Sequence, residues 1–203
     1  MYQEMPTDFW RKIIWSDETM IQLTFGEDGR FVRRASWQNP FEPKYLRKTV
    51  KHPLKVMFWG CFSTHKIGRL HICDGIMNSD EYIEVLRKRL VPYIDEINQD
   101  LIYQQDSAPC HTSKRSINWI KDRNIELLDW PGNSPDLNPI ENLWQIIKCK
   151  VAKKNPRTKI DLIAAVLRVW NHEIEHSQLE KLCLSMPRRI EAVLRNKGNP
   201  TKY

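Results

Sequence analysis

The stretch LIYQQDSAPCH at residues 101–111 decides the fold. It starts as a short apolar strand, ends that strand at Asp106, and then blocks its continuation with Pro109, which has no backbone N–H to donate. A helix is predicted on each side of it, at residues 80–98, where apolar residues recur at helical spacing, and from the capping Ser113 to residue 123. A helix–strand–helix order is typical of parallel strands that are joined by crossover helices.

The segments on either side extend this pattern into a mixed sheet. Upstream, bulky apolar residues predict strands at 12–25, 30–34, 54–63 and 69–73, with a glycine-bounded turn at 26–29. Downstream, the pattern predicts a strand at 125–128, a helix that begins at Pro139, and two further helices at 160–176 and 178–197. We therefore predict a single α/β domain over residues 1–203, with helices on both faces of a mixed sheet and a helical tail at 158–203.

Charge is distributed unevenly along this basic chain, whose net charge is +7. Residues 1–141 contain 19 Lys and Arg against 20 Asp and Glu, whereas residues 142–203 contain 13 against 5. The whole positive surplus therefore follows Glu141. A local basic surface attracts phosphates through counterion release, so the composition favours a nucleic-acid partner, although a solvated helical tail would have the same composition.

Cysteine content and hydropathy restrict the class of protein further. The five cysteines form no C-x-x-C pair, which argues against a disulfide framework or a cysteine zinc site and favours a reducing compartment. No apolar run approaches the roughly 18 residues of a membrane span, and the N-terminus has no secretory signal. We therefore expect no membrane partner.

Three carboxylates stand in separate motifs: Asp17 in WSDE, Asp106 in QQDSAPCH and Glu141 in SPDLNPIENLW. Asp17 interrupts an apolar strand, where Asp is disfavoured and is costly to bury unless a metal or a base accompanies it. Magnesium prefers hard oxygen ligands, and two such ions can clamp the attacking and leaving oxygens of a phosphodiester displacement. Three converging acids on a basic chain therefore predict a metal-dependent enzyme that acts on DNA.

The assignment of each acid has an alternative. Asp106 follows a strand, where Asp commonly forms a turn. Glu18 is adjacent to Asp17 and points to the opposite face of the strand, so only one of the two can face the site, and periodicity alone does not decide which. In the sequence NPIE, which begins at Asn138, Glu141 occupies the third helical position, where it could be only a capping-box residue.

The three motifs together resemble the catalytic DDE domain of the Tc/mariner superfamily of DNA transposases. They occur in the family's order, and 34 residues separate Asp106 from Glu141, as in the branch whose third acid is Glu. WGCFS at residues 59–63 and DGIMNSDEY at 74–82 also resemble the family, and the similarity extends over about residues 9–195. Three ordered motifs at family spacing are far more specific than any one of them alone.

The resemblance implies an RNase H-like fold with a mixed five-stranded sheet, and cut-and-paste transposition with integration at TA dinucleotides. By the same resemblance, Asp17 bridges two Mg²⁺ or Mn²⁺ ions, while Asp106 and Glu141 each hold one of them. One ion activates a water or a DNA 3′-hydroxyl, and the other stabilises the leaving oxygen. The expected partners are double-stranded DNA and a second copy of the chain in a homodimer across paired transposon ends, and the expected location is the nucleus.

Two further expectations follow from the resemblance. The long loop at 35–53 occupies the place of the family's clamp, which reaches the partner subunit. The family's helix-turn-helix modules, which recognise transposon ends, are expected to be absent, because the chain begins almost at its first catalytic strand. Two alternatives stay open: a degenerate or host-retained copy that binds DNA without cutting it, and another RNase H-like nuclease that does not integrate DNA.

Several other residues are candidates for DNA contact. A basic run after Glu141 favours phosphate contact over a merely solvated face, and consists of Lys148, Lys150, Lys153, Lys154 and Arg157. His111 either positions a scissile phosphate or is only a polar loop residue. Most tryptophans stand in apolar patterns and are predicted to be buried, whereas Trp37 and Trp130 lie in or beside loops, where they could contact DNA or a partner.

The sequence HEIEH at residues 172–176 matches the H-E-x-x-H signature of zinc proteases. On the predicted helix, His172 lies opposite the apolar stripe and His176 nearly so, and both should therefore face solvent. No H-x-x-G-x-x-H extension follows the motif. We interpret it as a solvated helix face rather than a zinc site.

Overall fold

The computed structural model describes residues 2–23, 35, 37–39, 42, 45, 54–132, 134–201 and 203. The turn predicted at 26–29, the strand predicted at 30–34 and most of the loop predicted at 35–53 lie outside the described residues. Within the described part, the chain forms a sheet with helices packed on both faces.

The sheet is mixed, as the sequence predicts. Its strands are β1 (Ile13–Gln22), β2 (Lys55–Phe62), β3 (His71–Cys73), β4 (Ile102–Tyr103) and β5 (Glu126–Leu127). Their order is β3-β2-β1-β4-β5, in which β1, β2 and β3 pair antiparallel, whereas β1, β4 and β5 pair parallel. The central strand β1 therefore joins the antiparallel meander to the half of the sheet that is connected by helices.

Helices account for most of the remaining described chain. They are α1 (Thr7–Arg11), α2 (Ser79–Val85), α3 (Val91–Ile97), α4 (Pro109–Thr112), α5 (Lys114–Lys121), α6 (Pro139–Lys153), α7 (Lys159–His172), α8 (His176–Cys183) and α9 (Met186–Arg195). A π-helical turn at Leu86–Leu90 joins α2 to α3, so these elements together make up the helix predicted at 80–98. No helix in the described ranges has both the length and the apolar character needed to cross a bilayer.

The helical tail differs from its predicted boundaries. The helix predicted at 160–176 ends at His172, and the helix predicted at 178–197 is two helices, α8 and α9. Leu184 and Ser185 separate α8 from α9, and Pro187 follows in the first turn of α9. Proline has no N–H for the hydrogen bond that a continuous helix would require, so the chain starts a new helix there.

Alternate residues of the strands pack against helices on both faces and form two hydrophobic clusters. On one face, Trp15 and Phe58 belong to the cluster that includes α6 to α9; on the other, Ile14 and Trp59 belong to the cluster that includes α2, α3 and α5. The tryptophans predicted to be buried are all 0% exposed, which confirms the prediction for Trp15, Trp59, Trp144 and Trp170.

A close approach between helix and sheet sets the position of α6. Trp144 of α6 and Trp170 of α7 stack with their ring centroids 5.0 Å apart, over Gly60 of β2. A Cβ atom at Gly60 would lie 2.4 Å from the Trp170 ring, so only glycine permits this packing. Because Gly60 is the pairing partner of Asp17 in the sheet, the packing holds α6 beside the strand that carries Asp17.

Candidate active site

One cavity of about 190 Å³ contains all three acids that the sequence analysis identified, Asp17, Asp106 and Glu141. They reach it from three elements: β1, the segment after β4, and the first turn of α6. The remaining wall is formed by Gln104, Trp130, Pro131, Ser134, Pro135 and Asn138. The fold therefore brings together carboxylates that are far apart in the sequence.

Asp17 enters the cavity from β1 and has the most strongly perturbed carboxyl group of the three. Its Oδ2 is buried and has no hydrogen-bond partner among the described residues. Burial is the largest cause that raises the pKa of Asp17 to about 8, and the negative charge of Glu141 is the next. Glu18 and Asp106 raise it further. A buried carboxylate surrounded by like charges is costly unless a cation accompanies it.

Asp106 is held by the strands beneath it and by the loop that it begins. Ser16 Oγ lies 2.9 Å from the carbonyl oxygen of Gln104, which ties the end of β4 to β1. Asp106 Oδ1 accepts a hydrogen bond from the backbone N–H of Ala108 (2.9 Å), and His111 Nδ1 lies 2.5 Å from the same oxygen. The hydrogen bond from His111 is the main cause that lowers the pKa of Asp106, so this carboxyl is ionised at neutral pH.

His111 is 3% exposed and lies between two acids. Its Nε2 is 3.4 Å from Glu18 Oε1, which is an ion-pair distance, and its ring packs against the Tyr82 ring with centroids 4.0 Å apart. Burial lowers the pKa of His111, but the contacts with Asp106 and Glu18 outweigh burial and raise the pKa to about 10. In the described part of the chain, neither His111 Nε2 nor Glu18 Oε1 has a hydrogen-bond partner, so the contact with Glu18 is an ion-pair contact rather than a hydrogen bond. The sequence contains no local signal of this contact with Glu18.

Glu141 projects from the first turn of α6 and is exposed. The N-cap residue is Asn138, whose Oδ1 accepts a hydrogen bond from the Ile140 N–H at 3.4 Å. The Asn138 backbone N–H, which a capping-box Glu141 would have to bond, instead donates to the Pro135 carbonyl oxygen at 2.9 Å. The capping-box interpretation of Glu141 is therefore wrong, and its carboxylate is left for the cavity.

Asn138 also performs a task that sequence reasoning missed. Its Nδ2 donates a hydrogen bond to the carbonyl oxygen of Ser16 at 3.2 Å, across 122 positions of sequence. Ser16 directly precedes Asp17, so this bond fixes the start of α6 to the strand that carries the first acid. Asn is a common N-cap residue, and the local pattern contains no sign of the second bond.

Arg189 is a second residue that sequence reasoning missed, and it also stabilises the start of α6. It is 2% exposed, and its Nη1 donates to the carbonyl oxygen of Asp136 at 2.9 Å, while its Nη2 donates to Asn142 Oδ1 at 2.6 Å. These bonds hold the segment before α6 and the first turn of α6 together. In the sequence, Arg189 is indistinguishable from the other basic residues of the tail.

The cavity has the chemistry of a divalent-metal site. Its carboxylates are hard oxygen donors of the kind that Mg²⁺ and Mn²⁺ bind, and Oδ2 of Asp17 has no other partner in the described part of the chain. In that same part, no three His, Cys, Asp or Glu side chains are already gathered into a metal-binding group. The acids repel one another, since Glu141 and Asp106 both raise the pKa of Asp17, and His111 already contacts one oxygen of Asp106. A cation would remove the repulsion, so the residues fit such an ion.

Comparison with known proteins identifies the family. Residues 12–163 match the family described as DDE superfamily endonuclease. The chain is 37% identical over 199 residues to the Tc1 transposase of Caenorhabditis elegans, covering 96% of this chain and 71% of that protein. It is 38% identical over 200 residues to the Tcb2 transposase of Caenorhabditis briggsae, with the same shares covered. The chain belongs to the Tc/mariner family of DDE transposases. It is a DNA transposase catalytic domain, which confirms the assignment made from the three motifs.

Solved structures of the Mos1 mariner transposase share the fold of this transposase domain. The TM-score is 0.80 against a Mos1 paired-end complex with Mn, at 17% identity, over 99% of this chain and 59% of the Mos1 chain. Against the Mos1 catalytic domain alone, the TM-score is 0.69, also at 17% identity, over 99% of this chain and 88% of that one. The RNase H-like sheet expected from the motifs is therefore confirmed, and the transposase domain spans less than two thirds of the Mos1 chain in that complex.

Two of the five basic residues predicted to contact DNA have internal partners in this transposase domain. Lys150 Nζ donates to the backbone oxygen of Glu173 at 2.6 Å, and Lys154 Nζ lies 2.6 Å from the Glu173 carboxylate. Both contacts hold the end of α7 against α6. The other three are Lys148, Lys153 and Arg157, of which the last two are exposed. DNA contact by these five residues stays a prediction.

The zinc-protease-like motif does not form a site in this transposase domain. His172 is the last residue of α7 and His176 is the first residue of α8, so the two are not on one helix, and both are exposed. The predicted exposure of the two histidines is confirmed, whereas the single helix face on which the prediction placed them is wrong, because α7 ends at His172.

Trp37 and Trp130, the two tryptophans predicted beside loops, have different surroundings. Trp37 is 86% exposed. Trp130 packs against Tyr2, Trp10 and Trp15 and also lines the acid cavity. Its position extends the aromatic core of the transposase domain to the edge of the acids.

Proposed function

We propose that this domain hydrolyses phosphodiester bonds of DNA and joins the resulting 3′ ends to target DNA, with divalent metal ions held by Asp17, Asp106 and Glu141. The observation that carries the proposal is the single cavity that these carboxylates line, in which Oδ2 of Asp17 is buried without a partner. The family assignment supports it, because the matched family is one of endonucleases. Mos1 complexes with Mn and with Mg, which have the same fold, also support a divalent ion.

The roles proposed for the acids follow from their positions. As the family resemblance implies, Asp17 would contribute to both ions, and Asp106 and Glu141 would each hold one. The charges of Glu141 and Asp106 both raise the pKa of Asp17, which supports a shared site. When bound, the ions would supply Lewis acidity to the attacking water or 3′-hydroxyl and to the leaving oxygen. The chain's own residues maintain the geometry: Asn138 ties the Glu141 helix to β1, and Ser16 ties β1 to the end of β4.

The proposed substrate is double-stranded DNA, with transposon ends as the cut molecule and TA dinucleotides as the target. The positive surplus after Glu141 supports binding to a polyanion. Mos1 has been solved in a paired-end complex with a left transposon end and in a strand transfer complex, which supports end binding. A homodimer across paired ends is part of the same proposal. Because the substrate would be chromosomal, we propose that the domain acts in the nucleus.

Plasmid nicking tests the metal-dependent cleavage. Supercoiled plasmid is incubated with the chain and Mg²⁺ or Mn²⁺, and nicked circles are quantified beside the Asp106→Ala variant and an EDTA control. We expect nicking by the parent that EDTA and the substitution both abolish. Equal nicking by parent and variant would reject the assigned site.

Strand transfer distinguishes a transposase from a nuclease that only cuts. A labelled duplex with a free 3′-hydroxyl is supplied with target plasmid, and the joined products are sequenced. We expect joining, with insertion at TA dinucleotides. Cleavage without joining would instead favour an RNase H-like nuclease, and binding without either reaction would favour the non-catalytic alternative.

A further inference from the structure

A chain of three side chains, centred on the buried His111, ends on one of the proposed metal ligands. Glu18 Oε1 lies 3.4 Å from His111 Nε2, and His111 Nδ1 lies 2.5 Å from Asp106 Oδ1. We propose that His111 is a positioning residue that orients the Asp106 carboxylate for metal binding, and that Glu18 anchors the far side of the imidazole. This inference rests on the proposed function, because it takes Asp106 to be a metal ligand.

The two adjacent acids of β1 provide the first support, because they serve opposite faces of one strand. Side chains of successive strand residues point to opposite faces. Asp17 lines the cavity, whereas Glu18, whose side chain is 18% exposed, meets His111 on the other side. In the sequence, Glu18 is only an alternative to Asp17 as the acid that faces the site. In the structure, Asp17 lines the cavity directly, whereas Glu18 is connected to it through His111 and Asp106.

The rigid surroundings of His111 provide the second support. Its ring lies against Tyr82, whose hydroxyl is 2.9 Å from the Tyr103 hydroxyl and donates to Gln105 Oε1 at 2.6 Å. Gln105 Nε2 in turn lies 3.3 Å from the His111 carbonyl oxygen, where it donates. Since the imidazole is held on all these sides and is 3% exposed, it acts on the site through Asp106 rather than by touching DNA.

The hydrogen bonds of Asp106 provide the third support. In the part of the chain that the structure describes, both hydrogen bonds to this carboxylate end on Oδ1, one from Ala108 and one from His111. Oδ2 is therefore the oxygen left for a cation, and Asp106, whose side chain is 47% exposed, lines the cavity. Partners that orient a metal ligand in this way typically change metal affinity by about 10- to 100-fold when they are removed.

Two conservative substitutions separate positioning from a merely structural role. His111→Asn places an amide nitrogen near the position of Nδ1, where it can still donate to Asp106. His111→Gln places its amide near Nε2, where it can meet Glu18 but not Asp106. His111→Ala removes both contacts, Glu18→Gln weakens only the anchor, and the exposed His172→Ala serves as the matched control.

The first measurement is Mn²⁺ binding to the full chain without DNA, detected through the electron paramagnetic resonance signal of the free ion. Thermal unfolding in EDTA checks that each variant is folded. We expect His111→Ala and His111→Gln to weaken Mn²⁺ binding by about 10- to 100-fold. His111→Asn should restore most of the affinity, Glu18→Gln should lose only a few-fold, and His172→Ala should match the parent.

The outcomes separate this inference from the proposed function. If Asp106→Ala loses Mn²⁺ but folded His111→Ala binds it as the parent does, the positioning role is overturned and the metal site stands. Equal losses in folded His111→Asn and His111→Gln would overturn it as well, because the donor to Asp106 would then not matter. This comparison also decides the case in which His111→Ala fails to fold. Parent-like affinity in Asp106→Ala, or no binding by the parent, would overturn both proposals.

Discussion

Charged side chains have opposite environments in the acid cavity and on the basic face. The basic face is the run at and just after the end of α6 that contains Lys148, Lys150, Lys153, Lys154 and Arg157. In the cavity, Oδ2 of Asp17 is buried without a partner and is surrounded by like charges. On the basic face, Lys150 and Lys154 both contact Glu173, and these contacts hold the end of α7 against α6. The first arrangement opposes folding unless a ligand arrives, whereas the second stabilises the fold without one. An unsatisfied buried carboxyl group is therefore the better marker of chemistry, and charge density is the weaker one.

Removing the acids one at a time is the strongest test of the claim that the cavity carries the chemistry. Asp17→Ala, Asp106→Ala and Glu141→Ala should each lower the rate of plasmid nicking by about 10³-fold or more, because each removes a metal ligand that supplies several kcal/mol of transition-state stabilisation. Initial rates at saturating Mn²⁺ measure the effect. Asp100→Ala, an exposed acid outside the cavity, should retain the parent rate. Retained nicking by any one of the three variants would remove that residue from the site.

A pH series sharpens the claim that the Asp17 charge opposes folding. The pKa of Asp17 is 3.8 in a model compound and about 8 in the fold. Between these values the folded chain holds a proton that the unfolded chain has released, so this group's contribution to stability is fully present below pH 3.8 and is lost as the pH rises through about 8. At pH 8 without metal, Asp17→Asn should therefore raise the free energy of unfolding by at most about 5 kcal/mol.

Urea unfolding in EDTA at pH 4 and at pH 8 measures the difference in free energy of unfolding between Asp17→Asn and the parent. This difference should nearly vanish at pH 4. Mn²⁺ should then stabilise the parent at pH 8 and leave Asp17→Asn little changed, because a ligand stabilises only the state that binds it. An Asp17→Asn variant less stable than the parent at pH 8 would contradict the assignment of Asp17 as an uncompensated charge.

The sequence predicted those features that depend on neighbours within one or two turns. Apolar spacing located the described strands and most of the described helices, although not α1, and the three motifs identified the acids. It missed contacts that the sheet order creates, such as Asn138 with Ser16 and His111 with Glu18, because periodicity carries no information about which distant segments meet. It also missed the break at Leu184 and Ser185, where the proline at position 187 outweighs a helical pattern that continues on both sides.

A substitution at Asn138 tests whether the geometry of the acid cavity depends on such a distant contact. Asn138→Ala removes both the N-cap and the bond to Ser16, and should lower the free energy of unfolding by about 1–2 kcal/mol. Asn138→Ser keeps a capping oxygen but cannot reach Ser16, so it should recover about 1 kcal/mol of that loss. Nicking should fall by about tenfold in both, since Glu141 loses its tie to the strand of Asp17. Nicking that recovers in parallel with stability would assign Asn138 to capping alone.

The smallest expected effect distinguishes two neighbouring lysines of the basic face. Lys153 is exposed, whereas Lys154 is paired with Glu173. If Lys153 contacts a phosphate, Lys153→Ala should reduce the slope of log affinity against log salt by about 1, measured by fluorescence anisotropy on a DNA duplex. Lys154→Ala should leave that slope unchanged and instead lower the melting temperature slightly, because its charge already has a partner within the fold. Equal slopes for both variants would mean that internal pairing does not decide which lysines of this face meet DNA, and the contrast with the acid cavity would then hold for the acids alone.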